Sequence, residues 1–342
     1  MRIKIAVVGA GSMGANHLRV LGDLPAEQVH LVGVAEVSAP TLAAAVGRFH
    51  VAGYRDYRQL IARTDPDLLA VAVPTHLHFT VAAYALERGI HVLLEKPIAG
   101  TIAEAQALIA LARRSGVLLA IGHIERFNPA IVQLRRRLRA GELGAIFQLH
   151  ARRLGPFPPR IRDVGVTLDL ATHDIDIMRH LVAAEVAHLY GQTQRRIHRT
   201  REDCVFGILR FTNGIVGMLD VNWLTPTKVR ELSVTGERGM FQVNYLTQDL
   251  YFYENDYSPT TWDALRSLTG VSEGTMTRLK VQKAEPLRLE YEDVLAAIGE
   301  ARSPTVSGED GLAALTIAQR LLASAAAEEQ CRREAGVPNG QV

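Results

Sequence analysis

Ile3-Lys-Ile-Ala-Val-Val-Gly9-Ala-Gly11-Ser12-Met13-Gly14 is the stretch that decides the fold. A short, mostly apolar run passes directly into G-x-G-x-x-G, and the pattern after it is helical. Strand, glycine loop and helix in that order are what dinucleotide binding needs mechanically. The first glycine permits a tight turn, the second lets the backbone approach a pyrophosphate, and the third lets the helix pack closely. The helix start then offers unpaired N–H groups to the phosphates. Glu36 ends the second apolar run and is followed by Val37, Ser38 and Ala39, with no arginine. A carboxylate there accepts hydrogen bonds from the ribose hydroxyls and repels the extra phosphate of NADP. NAD is therefore the expected cofactor, held by Gly9, Gly11, Ser12, Met13, Gly14 and Glu36.

Working outward, apolar runs recur at Ile3–Val8, Leu31–Ala35, Leu68–Val73, Ile90–Leu94 and Val117–Ile121. They lack the polar alternation of half-exposed strands, as strands covered by helices on both faces do. Helical segments separate them. Thr101-Ile-Ala-Glu104 is a capping box, and Gly116 and Gly89 fall where helices end. These are βαβ units of a doubly wound parallel sheet. Beyond residue 122 the pattern changes. Asn128-Pro129 predicts a helix start, and that helix runs to about Arg139 with Arg135–Arg137 on its solvated face. Short strands follow at Val205–Phe211, Ile215–Trp223, Glu231–Gly236, Met240–Asn244 and Leu250–Tyr253, with a hairpin signal at Asn213-Gly214. A last helix is predicted over Glu309–Glu329. The expected fold class is α/β: an N-terminal Rossmann domain over 1–122 and a C-terminal α+β domain over 123–342 with an open, mainly antiparallel sheet.

The 342 residues suit two domains. Basic and acidic residues nearly balance, at 38 and 36, which argues against a nucleic-acid partner. No run approaches the ~18 apolar residues of a membrane span, and the N-terminal run is too short for a signal peptide. The two cysteines form neither a disulfide framework nor a metal pattern. A cytoplasmic protein with no metal site is expected.

Two clusters suggest catalysis. Glu95-Lys96-Pro97 ends the fourth apolar run of the parallel sheet, where ligands bind in such folds. Asp169 and His173, four residues apart, share a helical face. Histidine is suited to accept a proton near neutral pH, and Asp169 is placed to orient it or to bind substrate. For Asp176, three residues beyond, an outward-facing acid is an equal alternative to a role beside His173.

Together these residues resemble the Gfo/Idh/MocA family of oxidoreductases. The resemblance rests on the glycine loop, Pro74-Thr75-His76-Leu77-His78, Glu95-Lys96-Pro97 and the Asp169/His173 pair. It implies catalytic roles for Lys96, His173 and Asp169, with either Lys96 or His173 as the formal base. It adds Pro74, Thr75, His78, Glu95 and Lys96 to the cofactor site. It also implies a homodimer or homotetramer built on the C-terminal sheet. One departure is Val164-Gly165-Val166, where many members carry two adjacent glycines.

A narrower resemblance, to UDP-N-acetylglucosamine 3-dehydrogenases, lies in Gly122–Pro129 and in Asn222-Trp223-Leu-Thr225-Pro226-Thr-Lys228. It implies oxidation of the sugar C3 hydroxyl to a ketone. An aminotransferase would then make a 2,3-diamino sugar for lipid A or other surface glycans. A diphosphate needs cations. Arg126, Arg152, Arg153, Arg160, Arg162 and Lys228 are the candidates. His123, Asn128 and Trp223 join Lys96, Asp169 and His173 as substrate contacts. The rival readings are a dehydrogenase of a free polyol such as inositol and, more remotely, a non-enzymatic NAD-binding sensor with no use for Lys96, Asp169 and His173.

Overall fold

A computed structural model describes residues 2–158, 164–255 and 273–335. The chain divides into two compact units. The first comprises residues 1–124 and 285–316, and the second 125–284 and 317–342. The N-terminal boundary falls close to residue 122, but assigning all of 123–342 to the second domain is corrected. Residues 285–316 return to the first unit because Leu287, Tyr291 and Val294 are buried in its core, with Leu18 and Leu21.

The first unit holds six parallel strands: β1 Ile3–Val8, β2 Val29–Ala35, β3 Gly53–Tyr54, β4 Leu68–Val71, β5 His91–Leu94 and β6 Leu119–Ile121. Their order is β3-β2-β1-β4-β5-β6. The order reverses between β1 and β4, where ligands bind in such sheets. The helices are α1 Ser12–Asp23, α2 Ala39–Phe49, α3 Tyr57–Thr64, α4 His78–Leu86 and α5 Ile102–Ser115. Their ends follow local chemistry. Thr101 caps α5 in a complete capping box with Glu104, and Gly116 closes it in the left-handed region. β1, β4 and β5 are buried almost throughout, which accounts for their unbroken apolar runs.

Among the described residues the second unit has eight strands: β7 Ile146–Pro156, β8 Val186–Gln194, β9 Cys204–Phe211, β10 Val216–Asn222, β11 Leu224–Gly236, β12 Gly239–Asn244, β13 Asp249–Asn255 and β14 Glu273–Leu279. Their order is β14-β13-β12-β11-β7-β10-β9-β8. All pairs are antiparallel except β7 with β10. Burial alternates along β9 and β12, so one sheet face is covered and the other open. The covering elements include α6 Pro129–Arg139 and α7 Thr172–Val182. α8 Pro286–Gly299 belongs to the first unit, and α9 Gly308–Glu334 contributes residues to both. Among the described residues no helix is long and apolar enough to cross a membrane.

Candidate active site

In the first unit the glycine loop joins β1 to α1. Gly9 has φ +93°, and a Cβ on it would lie 2.3 Å from the Ala72 carbonyl oxygen. A Cβ on Gly14 would lie 1.9 Å from the Gly9 oxygen. These two glycines are required by the protein's own packing. Gly11 differs: nothing stands within 4 Å of its Cβ position, and it precedes α1 without a side-chain cap. Open space beside uncapped helix N–H groups is what an approaching pyrophosphate needs. Ser12 is exposed at the first turn of α1, whereas Met13 packs against the core.

Glu36 accepts the Ala10 N–H at 2.8 Å and the Ser38 N–H at 2.9 Å. It thereby joins the glycine loop to the turn after β2. A carboxylate oxygen has further acceptor capacity for a ribose hydroxyl. NAD fits these residues: a backbone cradle open at Gly11 and an acceptor-only side chain at Glu36.

Pro74 is exposed and Thr75 half-buried, while His78 is only 1% exposed. Its ring nitrogens face the carbonyls of Pro97 at 2.8 Å and Val73 at 2.9 Å. Burial lowers its proton affinity, against the pull of those carbonyls. His78 therefore clamps the loop after β4 to the turn after β5, which corrects its expected contact with the cofactor.

Lys96, half-buried, follows β5 and precedes a cis peptide to Pro97. The preceding Glu95 is buried, and its Oε2 accepts the Lys96 N–H at 3.3 Å. Its Oε1 lies 3.0 Å from His17 Nε2, and His17 Nδ1 lies 2.7 Å from the Tyr291 hydroxyl. Burial opposes charge on Glu95, but the His17 hydrogen bond and the charges of His17 and Lys96 outweigh it and hold the carboxyl below its usual value. An ionised Glu95 requires a proton on His17 Nε2. Sequence patterns do not find this chain, because Tyr291 enters from a helix some 270 positions after His17. Glu290, beside it, is 1% exposed, and neither carboxyl oxygen has a hydrogen-bond partner. Burial first, then the charges of Glu95 and Asp293, push its pKa well above the usual carboxylate range.

In the second unit Asp169 lies in a π-helical turn, Thr167–Ala171, that leads into α7. Such widened turns recur at functional sites. In α7 His173, Arg179 and His180 are partly exposed and the remaining residues buried, and Asp169, one turn before His173, is partly exposed as well. The Asp169/His173 pair thus shares one accessible face. Asp174 and Asp176 are turned inward, at 1% and 0% exposure. The outward-facing alternative for Asp176 is thereby removed. Asp176 accepts from Arg126 at 2.7 and 2.5 Å, and Asp174 accepts from Arg153 at 2.7 and 3.0 Å. Arg153 also reaches Glu125 at 3.2 Å, and its side chain is 4% exposed. Both arginines therefore neutralise interior acids, and the expectation that they hold substrate is corrected.

Three more expected substrate contacts are interior. Asn128 caps α6 through Ala130 N–H and donates to the Tyr245 carbonyl at 3.1 Å. His123 is 1% exposed and Trp223 2%. The Trp223 ring packs edge-on to Phe157, so it offers no open face for stacking. Lys228 is exposed. Arg152, also exposed, lies 3.5 Å from Glu231. Arg160 and Arg162 lie outside the described residues.

Arg230, which sequence patterns do not single out, donates to the Leu154 and Val229 carbonyls. The β11–β7 register sets it opposite Arg153. Burial, then the Arg153 charge, brings its pKa down to about 10, against the pull of Asp174, Glu125 and Asp169. It remains a cation at neutral pH, and Asp169 lies within its field. Among the described residues no His, Cys, Asp and Glu group has metal-holding geometry.

Residues 3–123 match the oxidoreductase family with an NAD-binding Rossmann fold, and residues 131–242 match the GFO/IDH/MocA C-terminal domain. UDP-N-acetylglucosamine 3-dehydrogenase of Acidithiobacillus ferrooxidans is 29% identical over 318 residues, covering 93% of this chain and 96% of that one. A solved structure of that enzyme superposes with a TM-score of 0.83 at 27% identity, over 95% of this chain and 97% of its own. Inositol 2-dehydrogenase 1 of Saccharopolyspora erythraea is also 29% identical, over 94% of each chain. The glycine cradle, the Glu95-Lys96-Pro97 strand end and the Asp169/His173 face thus stand in a chain that belongs to the Gfo/Idh/MocA family of NAD-binding oxidoreductases.

Proposed function

We propose that this protein oxidises the C3 hydroxyl of UDP-N-acetylglucosamine to the 3-keto sugar nucleotide with NAD as acceptor. The observation that carries this reading is end-to-end similarity to a UDP-N-acetylglucosamine 3-dehydrogenase, in sequence and in fold. The equal identity to an inositol 2-dehydrogenase supports a second reading, oxidation of a free cyclitol.

NAD supplies the hydride acceptor. His173 takes the proton of the reacting hydroxyl, and Asp169 orients the imidazole or the hydroxyl. Lys96 donates a hydrogen bond to the same oxygen, with Glu95 ionised beside it.

The product ketone is a natural substrate for transamination, which would lead to a 2,3-diamino sugar for lipid A or other surface glycans. The open sheet face carries exposed Tyr190, Phe206 and Ile208 on neighbouring β8 and β9, and this patch supports self-association as a dimer or tetramer in the cytoplasm. The test is an NADH-formation assay with UDP-N-acetylglucosamine beside myo-inositol and free N-acetylglucosamine. Turnover with the nucleotide sugar alone is expected. Turnover with inositol alone would replace this reading with the second one.

A further inference from the structure

We propose that the loop from Arg195 to Glu202, between β8 and β9, takes the diphosphate of a nucleotide-sugar substrate. This rests on the nucleotide-sugar reading above and names the site that would enforce it.

The first observation is unneutralised charge. Arg195, Arg196, Arg199 and Arg201 are all exposed. Among the described residues none of the four has a salt bridge to an acid. Some exposed arginines elsewhere do pair with an acid, Arg113 with Glu309, Arg278 with Asp249 and Arg302 with Asp293; what sets these four apart is that they share one short loop.

The second observation is that the loop's own acids serve the backbone. Asp203 is fully buried, and its carboxylate accepts the N–H groups of Arg196, Ile197 and His198 at 2.6–3.0 Å. Glu202 accepts the Thr167 N–H at 3.2 Å. His198 Nδ1 accepts the Thr200 and Arg201 N–H groups at 3.2 and 2.9 Å, and its ring packs against Phe157 and Trp223. Main-chain anchors and an aromatic base therefore hold the loop. The arginine heads are not needed for its shape.

The third observation is location. The Glu202 carbonyl accepts the Val166 N–H at 3.1 Å, at the entry to the turn that carries Asp169. Gly165 makes this approach feasible: a Cβ there would lie 2.1 Å from Glu202 Oε1. The loop is thus stapled to the start of the helix bearing Asp169 and His173. That turn also packs against β9 and β10.

These facts fit one ligand chemistry. Guanidinium forks bind phosphate oxygens through paired, charge-assisted hydrogen bonds. A fixed cluster of like cations also concentrates anions in front of it. Arg126 and Arg153 cannot supply this grip, because interior acids already hold them. A sugar bearing a diphosphate would engage the loop, and a free cyclitol would not.

The test is isothermal titration of the NADH-loaded full chain with UDP and with uridine, which lacks the phosphates. Wild type is expected to favour UDP by about tenfold or more, the worth of one or two charge-assisted hydrogen bonds. In Arg199→Gln/Arg201→Gln and in Arg195→Gln/Arg196→Gln that preference should fall to about threefold or less. The matching lysine variants should retain part of it, because charge persists without the fork. NADH affinity reports whether each variant is folded. If both glutamine variants keep the full preference while wild type oxidises UDP-N-acetylglucosamine, the loop assignment is overturned and the substrate reading stands. If wild type shows no preference for UDP, both are overturned.

Discussion

The cofactor cradle and the Asp169/His173 face differ in what they are made of. The cradle is backbone: Gly9 and Gly14 leave no room for a Cβ, Gly11 leaves space, and Glu36 ties two neighbouring turns. Each of these residues acts within a short stretch of chain. The helix that carries the Asp169/His173 face is held from its buried side by side chains whose partners lie far off in sequence: Arg126 with Asp176 and Arg153 with Asp174. The comparison teaches that a motif of local backbone geometry survives translation into structure residue by residue. A charge assigned by proximity in sequence does not.

The largest effect expected concerns the chemistry itself. His173→Ala and Lys96→Met should each lower kcat by about 10²–10⁴-fold, the usual worth of positioned proton transfer, with NADH affinity retained in His173→Ala. Near-normal turnover in both would remove the acid–base assignment.

Next comes the interior charge cluster. Arg153→Ala leaves Asp174 buried without its partner and should cost about 3–5 kcal/mol in chemical denaturation. If Arg153 contacted substrate instead, the loss would appear in KM and stability would hold.

The glycines sharpen the contrast within the cradle. Gly11→Ala should fold with unchanged Tm yet bind NADH about tenfold more weakly, roughly one lost charge-assisted contact. Gly14→Ala should fail on both counts, because its Cβ has no room. Equal behaviour of the two variants would contradict the distinction between packing glycine and ligand glycine.

The smallest effect is pH-dependent. The raised pKa of Glu290 means its contribution to stability is full below the unfolded carboxyl value of about 4.3 and is lost as pH rises toward the folded value. Glu290→Gln should therefore gain stability relative to wild type at about pH 8 and show little difference at about pH 4. Glu95 has the opposite sign: its stabilisation is present above the unfolded value and lost as pH falls through its depressed one. Glu290→Gln that destabilises equally at both pH values would show that the carboxyl is not buried neutral.

Much of the fold was legible. The five apolar runs of the first unit fall on β1, β2, β4, β5 and β6, and the capping signals at Thr101 and Asn128 lie where α5 and α6 begin. β3 has only two residues, too short to leave a pattern. β7 is obscured because Arg152 and Arg153 interrupt its alternation, the latter a buried cation that only its distant acids explain. The return of α8 to the first unit is equally hidden, since its register against α1 is set by tertiary packing of Tyr291 on His17. In the candidate site, Lys96, Asp169 and His173 are proposed from local pattern. His17, Tyr291 and Arg230 are not, because each acts through a partner remote in sequence.

The most direct test of the central claim is a label. UDP-N-acetylglucosamine carrying deuterium at C3 is incubated with the purified enzyme and NAD, and the reduced cofactor is analysed by mass spectrometry. The account predicts one deuterium in each reduced cofactor and a nucleotide sugar that has lost it. Reduced cofactor without deuterium, or no reduction at all, would contradict it.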